Sequence, residues 1–206
     1  MQAGRLATFD DLLALPEGQR AEIVGGVVVT PPSPLPRHGR AQRVVGRVIG
    51  GAFDDDDGLG GPGGWWILPE VDVRLTPHDI VRPDVAGWRR ARLEQPWDLR
   101  PIDVIPDWIC EILSPSNVAD DRVRKRRLYA DHGVPFYWLL DPGAQTPEAL
   151  RLDMSSRTWA EVGSYDHASV ARIAPFEAIE IVVGQFFPPR RAWRSGGQRP
   201  QNLTTS

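Results

Sequence analysis

Ile80-Val-Arg-Pro-Asp84-Val-Ala-Gly-Trp88, followed after an irregular insert by Trp108-Ile-Cys-Glu111-Ile-Leu-Ser-Pro-Ser116 and then a helix carrying Lys125, is the stretch that decides the fold. Two apolar strands each place one carboxylate, Asp84 and Glu111, where a core residue is expected. An unpaired buried carboxylate is so costly that it takes up a proton, finds a cation or binds a metal. The pattern therefore predicts a divalent metal shared by Asp84 and Glu111, with Lys125 completing the site.

The neighbouring segments read outward from that pair. Trp65 to Leu75 is expected as one strand, with Val71, Val73 and Leu75 on one side and Glu70, Asp72 and Arg74 on the other. Pro77-His-Asp79 reads as a turn, so Ile80 to Trp88 pairs antiparallel with that strand. Ile80, Arg82, Asp84, Ala86 and Trp88 then share a face, and Pro83 points to an edge or a strand start. Residues 89–106 are rich in proline and charge and read as an excursion. Trp108 to Leu113 alternates Trp108, Cys110 and Ile112 against Ile109, Glu111 and Leu113, and so short an apolar run predicts a strand covered on both faces. Cys110 should therefore point away from Glu111 into core packing. Ser114 to Asn117 ends the strand and supplies the cap of a helix over about 118–131, closed by Gly133. At 3.6 residues per turn Val118, Asp121, Lys125, Leu128 and Tyr129 share one face, which predicts that Lys125 looks inward. An Asp121–Lys125 pair is the purely structural alternative for the lysine.

Upstream, Thr8-Phe-Asp-Asp11 opens a short helix with Asp11 in the capping-box position. Glu22 to Thr30 reads as a hairpin around Gly25-Gly26. The prolines from Pro31 to Pro36 require a loop. A second helix over 37–53 buries the stripe Ala41, Val44, Val45, Val48, Ile49 and Ala52. His38 lies in its first turn, and Arg40, Arg43 and Arg47 lie off the stripe. The run Asp54 to Asp57 lacks the alternating spacing of a calcium loop, and the glycines after it lack the ending of a phosphate-binding loop. Downstream, Phe136 to Asp141 is a buried strand, Leu150–Asp153 and Arg157–Val162 form a hairpin, and Ile179 to Val183 is a further strand. The expected organisation is a flexible residue 1–7 segment, one domain over residues 8–188 and a disordered tail over residues 189–206. The fold class is α/β, a mixed β-sheet flanked by helices with an N-terminal helix and hairpin.

Bulk properties narrow the function. The 206 residues suffice for one full core, and 41% hydrophobic with 25% charged content fits a soluble globular protein. No apolar run reaches membrane-span length and no signal-peptide core opens the chain, so a cytoplasmic location without membrane contact is the default. A single cysteine excludes an intrachain disulfide and a cysteine metal cluster. A net charge of −3 and a pI near 5.8 disfavour a whole-surface nucleic-acid binder but allow local arginines to grip phosphates. Of 24 lysines and arginines, Lys125 is the only lysine. Arginine-biased coding explains the arginines but not the retained lysine, whose compact charge and tunable pKa suit a site.

The chemistry follows from the donors. Hard cations such as Mg²⁺ or Mn²⁺ take carboxylate oxygens together with water and substrate phosphate. Asp84, Glu111 and the Ile112 carbonyl form the candidate ligand set, and Lys125 can position water or stabilise developing charge. Glu70 and His38 are second-tier candidates. Arg82-Pro83-Asp84, Cys110 to Ser116, Lys125, Tyr129, Gly133-Val134 and Tyr137 to Pro142 together resemble the Uma-type restriction endonuclease domain of the PD-(D/E)XK nuclease superfamily. Glu22-Ile-Val-Gly-Gly26 and Pro34-Leu-Pro-Arg-His38-Gly39 resemble its N-terminal motifs. The likeness covers about residues 9–187. It implies a restriction-endonuclease-like core, Mg²⁺ or Mn²⁺, water attack on DNA, and Asp84 and Glu111 as the acidic residues of the motif. Leu113 occupies the superfamily's usual lysine slot, which the family shifts to the next helix at Lys125. Gly25 replaces the family's hairpin aspartate but leaves Glu22 in place. By analogy with relatives that cut both strands, a homodimer is an expected partner arrangement. The competing reading is a catalytically silent module of the same fold that binds nucleic acid or protein. A serine hydrolase built on Ser114 is disfavoured, because no Gly-x-Ser-x-Gly elbow occurs.

Overall fold

The computed structural model describes residues 5–55, 61–114 and 120–189; the side chains of residues 120–122 and 164 lie outside that description. In chain order the elements are α1 (Phe9–Leu13), β1 (Glu22–Val24), β2 (Val27–Val29), α2 (Pro36–Val45), a π-helical turn (Gly46–Gly50) and α3 (Gly51–Phe53). Then come β3 (Trp65–Pro69), β4 (Val73–Thr76), β5 (Asp79–Val81), β6 (Val85–Arg89), β7 (Trp108–Ile112) and α4 (Asp120–Asp131). The chain continues through β8 (Phe136–Asp141), β9 (Thr146–Asp153), β10 (Thr158–Ser164), β11 (Val170–Ala171), β12 (Ile181–Val182) and a 3₁₀ turn (Val183–Phe186).

A six-stranded mixed sheet in the order β10-β9-β8-β7-β6-β3 forms the centre. Only β7 and β8 run parallel, and α4 lies on the connection between them. That arrangement is the crossover expected of a parallel pair. A four-stranded sheet, β2-β1-β5-β4, stands beside it, and β11 pairs with β12. The α/β class with a mixed sheet is thus as expected, but the sheet is not single.

Two of the expected strands are broken. Trp65 to Leu75 divides into β3 and β4 at Glu70, which has a left-handed backbone with φ of 52°. Ile80 to Trp88 divides at Arg82–Asp84 into β5 and β6, which belong to different sheets. Pro83 marks that crossing because it has no N–H to give a ladder. The helix expected over 37–53 begins at Pro36, a favoured first position, and is interrupted by the π-helical turn. The Gly25-Gly26 hairpin holds: both glycines have positive φ, 61° and 74°, as a tight two-residue turn requires. Beside it Ala7, within the expected flexible N-terminal segment, donates its N–H to Gly26 and accepts from His78. The Ser114–Asn117 cap falls largely on residues 115–119, and the C-terminal tail on residues 190–206, both outside the described residues.

The six-stranded sheet is covered on both faces. Ala41, Val44, Val45, Ile49 and Phe53 of the broken helix pack with Trp108, Cys110, Ile112, Trp138 and Phe176. On the opposite face Trp88, Ile109, Leu113, Tyr129, Tyr137 and Leu139 form the second cluster. Trp65 and Trp88 are buried, whereas Trp97 is 63% exposed with its ring edge-on to Trp66 at 4.8 Å. Among the described residues no helix is long and apolar enough to cross a membrane.

Candidate active site

Strand register brings the two carboxylates together. β6 and β7 pair antiparallel with Val85 opposite Cys110 and Ala86 opposite Ile109. One step further along that register Asp84 faces Glu111, and directly opposed residues share a face. β6 stops at Val85, so the Ile112 N–H donates to Asp84 Oδ2 at 2.7 Å rather than to a strand partner. His38 Nε2, from the first turn of α2, lies 3.1 Å from each Asp84 oxygen.

Glu111 is held from the other side. Lys125 Nζ of α4 donates to Glu111 Oε1 at 3.1 Å, and the Tyr129 hydroxyl, one helical turn on, donates to the same oxygen at 2.6 Å. The four-stranded sheet delivers a third carboxylate: β1 pairs with β5 through Ile23 and Ile80, which sets Glu22 beside the crossing. Glu22 Oε1 accepts from Lys125 Nζ at 3.1 Å and from the Arg82 N–H at 2.7 Å. Glu22, His38, Asp84, Glu111 and Lys125 are all buried and line one cavity of about 60 Å³, walled by Pro31, Pro32 and Pro34. That volume holds a few waters.

The electrostatics follow from burial. Desolvation pushes the Glu111 carboxyl up to about 7; the charges of Asp84 and Glu22 add to the rise, while Lys125 and the Tyr129 hydrogen bond oppose it. Burial alone would lower His38, but the Asp84 hydrogen bond and charge, helped by Glu111, hold it above its ordinary value. Burial raises Tyr129 well above the usual phenol range, so it remains a donor. Cys110 packs on the opposite face of β7, as expected, and its thiol is likewise raised by burial.

The sequence-derived set is therefore brought together at Asp84, Glu111, Lys125, His38, Glu22 and Tyr129. Glu70 stands outside the cavity: its Oε1 accepts from Gln42 Nε2 at 3.0 Å, and the same amide donates to the Asp84 carbonyl at 3.0 Å. The Asp121 side chain lies outside the described residues, so the Asp121–Lys125 pair does too. Three polar residues of the cavity were not proposed for the site from the sequence. Arg20 and Arg82 line it, as does Tyr137, whose buried hydroxyl has no hydrogen-bond partner among the described residues. Arg20 carried no motif signal, and Tyr137 alternates along β8 just as a core tyrosine would.

Among the described residues no three His, Cys, Asp or Glu side chains converge into a closed metal cage. The donors that share the cavity include the Asp84 and Glu111 carboxylates, and Ile112 lines the same wall. Carboxylate oxygens suit a hard oxygen-seeking cation that keeps several waters. Lys125 Nζ and the Tyr129 hydroxyl both donate to Glu111 Oε1.

Comparison with curated proteins finds no match. The fold is similar to a solved structure described as "a putative nuclease belonging to DUF820 from Anabaena variabilis", with a TM-score of 0.68 and 20% identity over 87% of this chain and 96% of that one. That likeness bears on fold alone, and it is the nuclease-like fold expected from the sequence. The family model Uma2, described as "Putative restriction endonuclease", matches residues 6–183. Spanning nearly all of the described structure, that match means that the chain belongs to the Uma2 family.

Proposed function

We propose that this protein is a DNA endonuclease that hydrolyses phosphodiester bonds with Mg²⁺ or Mn²⁺ held by carboxylates. The observation that carries the reading is the meeting of Asp84 and Glu111 in one cavity, with Lys125 Nζ 3.1 Å from Glu111. Asp84, Glu111 and the Ile112 carbonyl would hold the ion. When bound, such an ion supplies positive charge to a phosphodiester in its transition state and acidity to a neighbouring water.

The chain's own groups do the rest. The Ile112 N–H and His38 fix the orientation of the Asp84 carboxylate. Glu22 and Glu111 hold the Lys125 ammonium at the cavity, where it can orient an attacking water or donate to a phosphate oxygen as charge develops. Tyr129 steadies Glu111 without competing for charge. A silent binding module would have no use for two buried carboxylates on a lysine with a third in the same cavity, since each is expensive to desolvate.

The test is a nicking assay on supercoiled DNA with Mg²⁺ or Mn²⁺. Wild type cuts; Asp84→Ala and Glu111→Ala do not, and both lose metal binding by calorimetry. Undiminished cutting by both variants removes the site.

A further inference from the structure

Arg20 differs from the other cations of the cavity. Arg82 is committed, with Nε and a terminal nitrogen each 2.7 Å from the buried Asp72. Lys125 is held between Glu22 and Glu111. Arg20 also lines the cavity, yet its Nε is buried with no hydrogen-bond partner among the described residues. A buried donor left without an acceptor is costly, and a guanidinium Nε with its neighbouring terminal nitrogen forms the fork that matches two phosphate oxygens. Among the described residues its ion-pair partner is Glu70, where Oε1 lies 3.2 Å from a terminal nitrogen and both side chains are about one-third exposed. An ion pair that exposed is worth little and is readily exchanged.

Glu70 is itself a prepared partner. Its left-handed backbone, φ 52°, is an unfavoured conformation for a residue with a side chain. Gln42 holds its carboxylate and at the same time holds the Asp84 carbonyl. The contact that occupies Arg20 is thus tied to the backbone of a candidate metal ligand.

We propose that Arg20 grips a backbone phosphate of DNA entering the cavity, and that Glu70 parks the guanidinium until that phosphate arrives. This rests on the nuclease reading above. The phosphate takes the orphan Nε and a terminal N–H together. Glu70 keeps Gln42 as its donor, so the exchange leaves no new buried charge.

The experiment is fluorescence anisotropy with a short labelled DNA duplex in EDTA, which excludes cleavage and metal, over a range of salt. Arg20→Gln, which keeps a polar stem of similar reach, weakens binding about tenfold and reduces the log–log salt slope by about 0.9. Arg20→Lys restores the slope but not the affinity, because an ammonium is not a fork. Glu70→Gln tightens binding about threefold, the size of a lost exposed ion pair, and does nothing when Arg20→Gln is also present. Wild-type affinity and slope in Arg20→Gln would overturn the phosphate role while leaving the nuclease reading intact. Tightening by Glu70→Gln that persists without Arg20 overturns the parking role. A wild type that does not bind DNA at all overturns both this inference and the reading beneath it.

Discussion

Strand β7 presents two faces that are equally buried and chemically opposite. Toward α2 it shows Trp108, Cys110 and Ile112, with the rings of Trp138 and Phe176 edge-on to Trp108 at 5.2 and 4.9 Å. Toward α4 it shows Glu111 between Ile109 and Leu113, facing Lys125 and Tyr129. Cys110 and Glu111 are consecutive, and burial raises the pKa of both. The first face is closed by rings and the second by hydrogen bonds. Burial by itself therefore does not separate core from site; what separates them is whether the buried group has been given charged partners.

Paired substitutions on the two faces test that contrast. Glu111→Ala should lower the cutting rate by at least about 10³-fold, since a charge-stabilising ligand contributes several kcal/mol to the barrier. It should cost about 1–2 kcal/mol of stability, because Lys125 keeps Glu22 while the buried Tyr129 hydroxyl loses its acceptor. Trp138→Ala on the other face should do the reverse: about 3–5 kcal/mol lost in urea unfolding, with the rate per folded molecule unchanged. Equal destabilisation by the two variants would mean that both faces are ordinary core. Lys125→Arg should come next, with a rate loss of about 10- to 100-fold and near wild-type stability, because a guanidinium keeps the charge but not the point geometry. Full activity in Lys125→Arg would reduce the lysine to an ion-pair partner.

The same contrast explains what could be read in the sequence. The period of two along β7 put Cys110 and Glu111 on opposite faces, and the 3.6 period of α4 put Lys125 and Tyr129 on its inward side. Those are local regularities, and the structure keeps them. The crossing at Pro83 was visible as an interruption, but nothing local says that Val81 and Val85 enter different sheets. That depends on β1, remote in sequence, pairing with β5. The break at Glu70 had no glycine or asparagine to announce its left-handed backbone. Arg20 and Gln42, both distant, hold its carboxylate there. Arg20 was one arginine among many in the sequence; only its unpartnered Nε in the folded protein distinguishes it.

The finest test of the charged face is its response to pH. The folded-state Glu111 carboxyl is raised to about 7 from an ordinary 4.5, so the folded chain binds the proton more tightly than the unfolded chain does. Stability without metal should then fall as pH rises from about 4.5 to about 7, and level off above. His38 works in the same direction: its raised folded value favours the fold at low pH, and that gain is lost as pH climbs through it. A cation that needs the Glu111 carboxylate must displace the proton. Mn²⁺ affinity measured by calorimetry should therefore weaken about tenfold between pH 8 and pH 6. In Glu111→Gln the stability slope should shrink and the remaining weak metal binding should lose most of its pH dependence. In His38→Gln the Glu111 share of both slopes should survive. A metal affinity that stays flat over this range would mean that Lys125 already holds Glu111 ionised at pH 6. The face would then be a settled ion pair and not a carboxylate poised to take a metal.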